Sequence, residues 1–184
     1  DILDNTFTLY GITYNKLSVS TNGFITLGTN LDTYTTITLE NHFASPRISP
    51  FYSYYSLDPY NDGNGNIYYG FKNDTNSTVY DMLVITFISI VNSIYVDTPS
   101  SAQIILYLDN ASIEKRGTIR IDYGAVGIGT SIVGLSDGIG ADYSLVDINL
   151  IQSYNDENII PTQPAYFNSN FKWIESPYQA LPKN

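Results

Sequence analysis

KLSVSTNGFITLG, Lys16 to Gly28, holds two short runs in which apolar and polar side chains alternate, with Asn22-Gly23 between them. Alternation on a period of two sends successive side chains to opposite faces of an extended chain, so each run reads as a strand with one covered face. Asn-Gly tolerates the positive φ angles of a tight type I′ turn, and the pair reads as a hairpin closed by one.

The same pattern repeats outward from that hairpin. Apolar stretches are short, rich in Ile, Val, Tyr, Phe and Thr, and bounded by Gly, Asn, Asp or Pro. Strands are expected near Phe7–Leu9, Leu17–Ser20, Phe24–Leu27, Phe51–Tyr55, Asn66–Phe71, Met82–Val91, Ala102–Leu108, Gly117–Tyr123, Ile132–Ser136 and Tyr143–Val146. AQIILYLDNASIEKRGTIRIDYG reads as a longer hairpin around the polar Asp109 to Arg116. MLVITFISIV is more continuously apolar, as expected of a central strand covered on both faces. Pro46 and Pro50 are poor in central strands, so the aromatic strand is expected to begin after them. The one helical candidate is a turn over Thr38 to His42. These elements predict an all-β fold, an antiparallel β-sandwich of about ten short strands. It is expected over residues 1–147. Residues 148–184 carry four prolines and no clear period, and are expected as an extended C-terminal segment that packs on the domain or leads to a neighbour.

Composition narrows the function classes. The 184 residues suffice for a core without staples. Charged residues make up only 14% while Tyr occurs 17 times, so hydroxyls and amides must cover the surface. Eighteen acidic against eight basic residues give a net charge of -10, which repels phosphate backbones and anionic lipid. Nucleic acid is not expected as a partner. No apolar run approaches the roughly 20 residues of a membrane span, so direct membrane insertion is not expected either. Without cysteine there is no disulfide framework, thiolate metal site or Cys nucleophile. The chain starts at an Asp without a basic, apolar leader and reads as a mature or excised domain.

Catalytic patterns are sparse. The single histidine, His42 in ENHFASPR, reads as a surface or partly satisfied loop residue, and no Gly-x-Ser-x-Gly elbow surrounds any serine. A carboxylate-pair glycosidase would have to draw on Glu40, Glu114, Glu157 or Glu175, all in expected loops or the tail. YGAVGIGTSIVG lacks the Lys and Ser or Thr of a phosphate loop and reads as a turn or bulge between strands. An enzyme is therefore not expected.

ISPFYSYYSLDPYNDGNGNIYYG, Ile48 to Gly70, leaves three readings open. Asp58, Asp62, Asn64 and Asn66 offer hard oxygen ligands, and Gly63 and Gly65 allow the curvature to converge them, which makes calcium the one candidate cofactor. The EF-hand pattern fails, since Ile67 stands where glycine belongs and Asn73 where the bidentate Glu should be. The residues serve equally as a wide turn between strands, or as a sugar contact. Tyr52, Tyr54, Tyr55 and Tyr60, with Tyr68 and Tyr69, form a candidate binding surface or ordinary sheet packing. Sequons at Asn73 (NDT), Asn76 (NST) and Asn110 (NAS) fit a secreted surface or the chance yield of an Asn-rich chain.

The order of segments resembles the nidogen-like (NIDO) extracellular domain. LYGITYNKLSVSTNGFITLG is similar to its aromatic-Gly step and Asn-Gly-Phe hairpin, and ISPFYSYYSLDPYNDGNGNIYYG to its Ile-x-Pro-aromatic strand, acidic turn and Gly-x-Ile-Tyr-Tyr strand. LVITFISIV, AQIILYLDN, GTIRIDYGAVG and SIVGLSDGIGADYSLV follow in the family's order, so the resemblance spans roughly Phe7 to Val146. Cysteines and the usual corner Trp are absent, and Leu135 replaces an aromatic. The resemblance implies a non-enzymatic extracellular adhesion or recognition module of a larger protein at a cell or virion surface. Its partners would be a protein or glycan on another surface, besides neighbouring domains of the same chain. A glycan-binding head of a viral or bacterial fibre and a structural spacer are the alternatives.

Overall fold

The computed structural model describes residues 5–29, 36–57, 65–73, 79–92, 98–124, 131–139, 165–168 and 173–174. Its first element is a hairpin of β1 (Phe7–Leu9) and β2 (Ile12–Tyr14), with Leu9 opposite Ile12. The two residues between them, Tyr10 and Gly11, have φ angles of 51° and 79°, the pair of positive values that defines a type I′ turn. The next hairpin joins β3 (Leu17–Ser20) to β4 (Phe24–Leu27), with Ser20 opposite Phe24. Three residues close it and only Gly23 has positive φ, at 78°. The expected hairpin is present, but its turn is the three-residue kind ending in a left-handed glycine, and the type I′ turn sits one hairpin earlier.

The chain continues through α1 (Leu39–Phe43), β5 (Pro46–Tyr52), β6 (Tyr55–Ser56), β7 (Asn66–Lys72), β8 (Met82–Asn92), β9 (Ser100–Tyr107), β10 (Thr118–Tyr123), β11 (Ile132–Asp137), β12 (Ala165–Asn168) and β13 (Trp173–Ile174). Strands β11-β5-β4-β3 form one antiparallel sheet. The larger sheet runs β13-β12-β10-β9-β8, with β7 and β6 pairing successive stretches of the far side of β8. Strand β12 pairs antiparallel with β10, Thr118 opposite Asn168, so residues of the segment expected as a tail lengthen the large sheet. The expected strand Tyr143–Val146 lies outside the described residues.

One hydrophobic core joins the two sheets. Ile25, Leu27, Ile48 and Phe51 from the small sheet meet Leu83, Ile85, Phe87, Ile90, Ala102, Ile104, Leu106, Ile119 and Ile121 from the large one, and Phe7 and Leu9 close one side. Phe51 and Phe87 meet edge to face across the layer at 5.7 Å between ring centroids. Tyr123 also ties the sheets together, its hydroxyl donating to the Pro50 carbonyl at 2.8 Å.

Two irregular strands explain where the sequence pattern misleads. Strand β8 is central, between β7 and β9, but covered closely on one face only: Leu83, Ile85 and Phe87 are buried while Met82, Val84 and Thr86 are half-buried. A bulge between Phe87 and Ile90, with Ser89 at φ 50°, restores Ile90 to the inner face. The Ser89 N–H, displaced from the ladder, donates to Ser101 Oγ at 2.9 Å. One inserted residue thus makes an alternating strand look continuous. Strand β5 starts at Pro46, five residues earlier than expected, although it lies between β11 and β4. Pro46 is its first residue and Pro50 falls where the β11 pairing slips between Ser49 and Tyr52, the two kinds of place where a strand tolerates a missing N–H.

The N-terminal hairpin is held by Asp109, in the β9–β10 connection. Its Oδ2 accepts from Thr6 Oγ1 at 2.7 Å and Thr8 Oγ1 at 3.1 Å, and its N–H donates to the Thr6 carbonyl at 2.8 Å. Charge-assisted bonds of this kind contribute about 1.5–3 kcal/mol when partly buried. Asp109→Ala is expected to lower unfolding free energy by about 2 kcal/mol in urea titration, whereas Asp109→Asn should retain part of it.

Candidate functional site

The aromatic stretch after β5 divides by burial. Tyr52 is fully buried on the outer face of the small sheet, edge-on to Phe24 at 4.8 Å, and its hydroxyl donates to the Thr36 carbonyl at 3.2 Å. Tyr55 is buried at the core, its hydroxyl 3.3 Å from Ser100 Oγ. These two sequence candidates are packing residues. Tyr54 between them is exposed, and its hydroxyl accepts from the Ile37 N–H at 3.3 Å. Tyr60 lies outside the described residues.

Among the described residues the rings most open to water belong to β7. Tyr68 is 55% and Tyr69 76% exposed, and as neighbours on a strand they point to opposite faces. Among the described residues β7 pairs only with β8, which leaves it at the sheet's edge. Ile67 and Phe71 of the same strand pack on the core and fix it in place. Tyr69 shares their face but stands unburied between them.

Of the calcium candidates, Asp58, Asp62 and Asn64 lie outside the described residues, and Asn66 opens β7 as an exposed residue. No group of three or more His, Asp or Glu side chains converges among the described residues. A Cβ on Gly65 would run into the Leu57 backbone, so the chain closes tightly there and glycine is required.

One cluster was not legible in the sequence. His42, expected as a surface or partly satisfied loop residue, is 1% exposed, in α1 on the outer face of the small sheet. Thr38 caps that short helix, its Oγ1 accepting from the Asn41 N–H at 3.1 Å. The imidazole meets Phe43 edge-on at 4.7 Å and Tyr52 at 6.3 Å, and Nδ1 lies 3.3 Å from Ser49 Oγ. Nε2 has no close hydrogen-bond partner among the described residues and faces the β11 backbone near Gly134. Burial lowers the imidazole pKa from 6.5 to about 4, opposed by the Leu135 backbone, so this histidine is neutral at physiological pH. Beside it the fully buried Arg47 guanidinium stacks on Phe24 at 4.3 Å and Tyr52 at 4.7 Å from the ring centres. The alternation Phe24-Ile25-Thr26-Leu27, with all four residues buried, is the trace this second layer leaves. Both faces of β4 are covered.

The NIDO-related family matches the chain over residues 3–173. The chain belongs to the NIDO-related family. No curated protein and no solved structure matches it. The family's match runs past residue 147 and takes in β12, whose pairing with β10 makes it part of the same sheet. A NIDO-related domain points to an extracellular part of a larger protein. No helix among its described residues is long and apolar enough to cross a membrane. In this NIDO-related domain, then, Arg47 and His42 are buried, while Tyr68 and Tyr69 of β7 stand open to water.

Proposed function

We propose that this NIDO-related domain is a non-enzymatic recognition module of a larger surface protein, and that it binds a protein or glycan on another surface through the tyrosines of β7. The exposure of Tyr68 and Tyr69 on a strand anchored by Ile67 and Phe71 carries this reading. A tyrosine ring offers a flat apolar face and a hydroxyl with few rotors, so ordering it on binding costs little. An anchored strand lowers that cost further, because the backbone is already in place. The net charge of -10 disfavours polyanions as partners.

The test is binding of the immobilised domain to an oligosaccharide array and to intact cells. Selective array binding that free sugar competes away identifies a glycan. Saturable cell binding that survives glycosidase treatment identifies a protein. Silence in both assays would leave a spacer. Joint replacement Tyr68→Ala and Tyr69→Ala should weaken binding at least about tenfold. Unfolding free energy should shift by less than about 1 kcal/mol, since both rings are largely in water.

A further inference from the structure

Two of the sequons lie at one pole of the domain. Strand register aligns Lys72 with Met82 and Met82 with Tyr107, so the β7–β8 and β9–β10 connections leave the large sheet from the same end. Asn73 follows Lys72 directly in the first connection, and Asn110 stands in the second. Both are exposed. The opposite end of the sheet carries Asn66, Ile88 and the corner where Tyr55 pairs with Asn92. Asn76 lies outside the described residues.

Each acceptor also has large apolar neighbours left in water. Ile113, in the same connection as Asn110, is 79% exposed, and Val79 and Tyr80, in the connection of Asn73, are about half exposed. A bulky polar cover over these connections would shield such side chains, whereas a bare pole presents them to every passing surface. The geometry of Asn110 admits the modification. Its Nδ2 donates to Asn5 Oδ1 at 3.0 Å, and a glycosylated amide nitrogen keeps one N–H, which is all that bond needs.

We propose that Asn73 and Asn110 are acceptors for N-linked glycans, which sheathe this pole and leave the opposite one to the partner. The donor is a lipid-linked oligosaccharide diphosphate. The amide nitrogen attacks the anomeric carbon, the bond from that carbon to the diphosphate oxygen breaks, the lipid diphosphate leaves with the electron pair, and the nitrogen gives up one of its two protons to the surrounding water. Asn73 lies four residues beyond Tyr69, about 13 Å along an extended strand. A glycan there borders the tyrosine surface on one side, so a partner reaches β7 from its Asn66 end. This inference rests on the extracellular reading.

The experiment labels intact cells of the native source at their surface, isolates the full-length protein and removes N-glycans enzymatically in water enriched in heavy oxygen, which converts each occupied acceptor to Asp with an isotopically marked carboxylate. Marked Asp at positions 73 and 110 in the surface-labelled protein is the expected result. Asn73→Gln and, separately, Ser112→Ala should each remove one discrete step of mass, and Ser112→Ala does so without touching the Asn110 to Asn5 bond. Surface-labelled protein with unmarked Asn at both positions overturns the glycans and keeps the extracellular reading. Protein that is neither labelled at the surface nor marked overturns both.

Discussion

Gly23→Ala is expected to lower unfolding free energy by about 3 kcal/mol, among the largest losses available from adding a single methyl group. Two causes add at this position. Its φ of 78° lies in the left-handed region, where an alanine costs about 1 kcal/mol or more relative to glycine. The new Cβ would also meet the Phe51 ring and stand 2.6 Å from the Phe51 carbonyl oxygen, which no rotamer change can relieve. Overpacking against backbone costs roughly a further 1–3 kcal/mol. The turn cannot simply move away. The carbonyls of Asn22 and Gly23 accept from the Ser53 and Phe51 N–H groups, so the hairpin tip is bonded to the end of β5. Two other glycines separate the causes. Gly11 has φ 79° with nothing near its Cβ position, and Gly11→Ala should cost only the conformational part, about 1 kcal/mol. Gly70 has open space and no positive φ, and Gly70→Ala should lie within about 0.5 kcal/mol of the parent. Equal losses for Gly11→Ala and Gly23→Ala in urea unfolding would remove the contact with Phe51 from the account.

Acid should destabilise the domain through His42 before most carboxylates titrate. The folded protein holds this imidazole neutral down to about pH 4, while in the unfolded chain it takes a proton near pH 6.5. Above pH 6.5 both states are neutral and the full stability is present. As pH falls from 6.5 towards 4 the unfolded chain binds a proton that the folded one refuses, so stability drops by up to about 1.4 kcal/mol per pH unit, roughly 3 kcal/mol across the window. Among the described residues no carboxylate is found in contact with the ring, which is enclosed by Ser49, Phe43, Tyr52 and the β11 backbone, with Arg47 against the other side of the cluster. A proton on His42 would place a second cation next to a buried first one. His42→Gln should flatten the slope of unfolding free energy between pH 6.5 and 5, whatever it does to the absolute value. An unchanged slope in that variant would show that other groups carry the acid response.

Strand identity was largely legible, strand detail was not. Period-two alternation places β3 and β4 at their observed bounds and β9 and β10 within two residues of theirs, because each keeps one face on the core without interruption. It places β8 to within a residue as well, but it does not show where an inserted residue resets the phase, at Ser89 in β8 and near Pro50 in β5, since a bulge leaves no signature in composition. Asn22-Gly23 marked a hairpin correctly yet not its turn, because the loop length is set by pairing of Ser20 with Phe24 rather than by the dipeptide. Tyr10-Gly11 is legible only as the family's aromatic-Gly step and gives no sign of a type I′ turn, since a tyrosine at φ 51° is uncommon and strand β2 is mostly exposed.

The candidate surface was half legible. Tyrosine enrichment gathers buried and exposed rings into one group: burial of Tyr52 and Tyr55 depends on a corner and a bulge, and only the fold separates them from Tyr54, Tyr68 and Tyr69. His42 and Arg47 were misjudged or missed because charged and titratable residues normally face water, and nothing local announces that α1 folds over the outer face of the small sheet.

The central claim is that a rigid two-sheet frame recognises a surface partner through exposed rings on β7. Its most direct test compares the parent with the Tyr68→Ala/Tyr69→Ala variant in the same saturable binding assay, with thermal unfolding of both recorded alongside. The account predicts at least about tenfold weaker binding at nearly unchanged melting temperature. Equal binding by the two proteins, at equal stability, would contradict it.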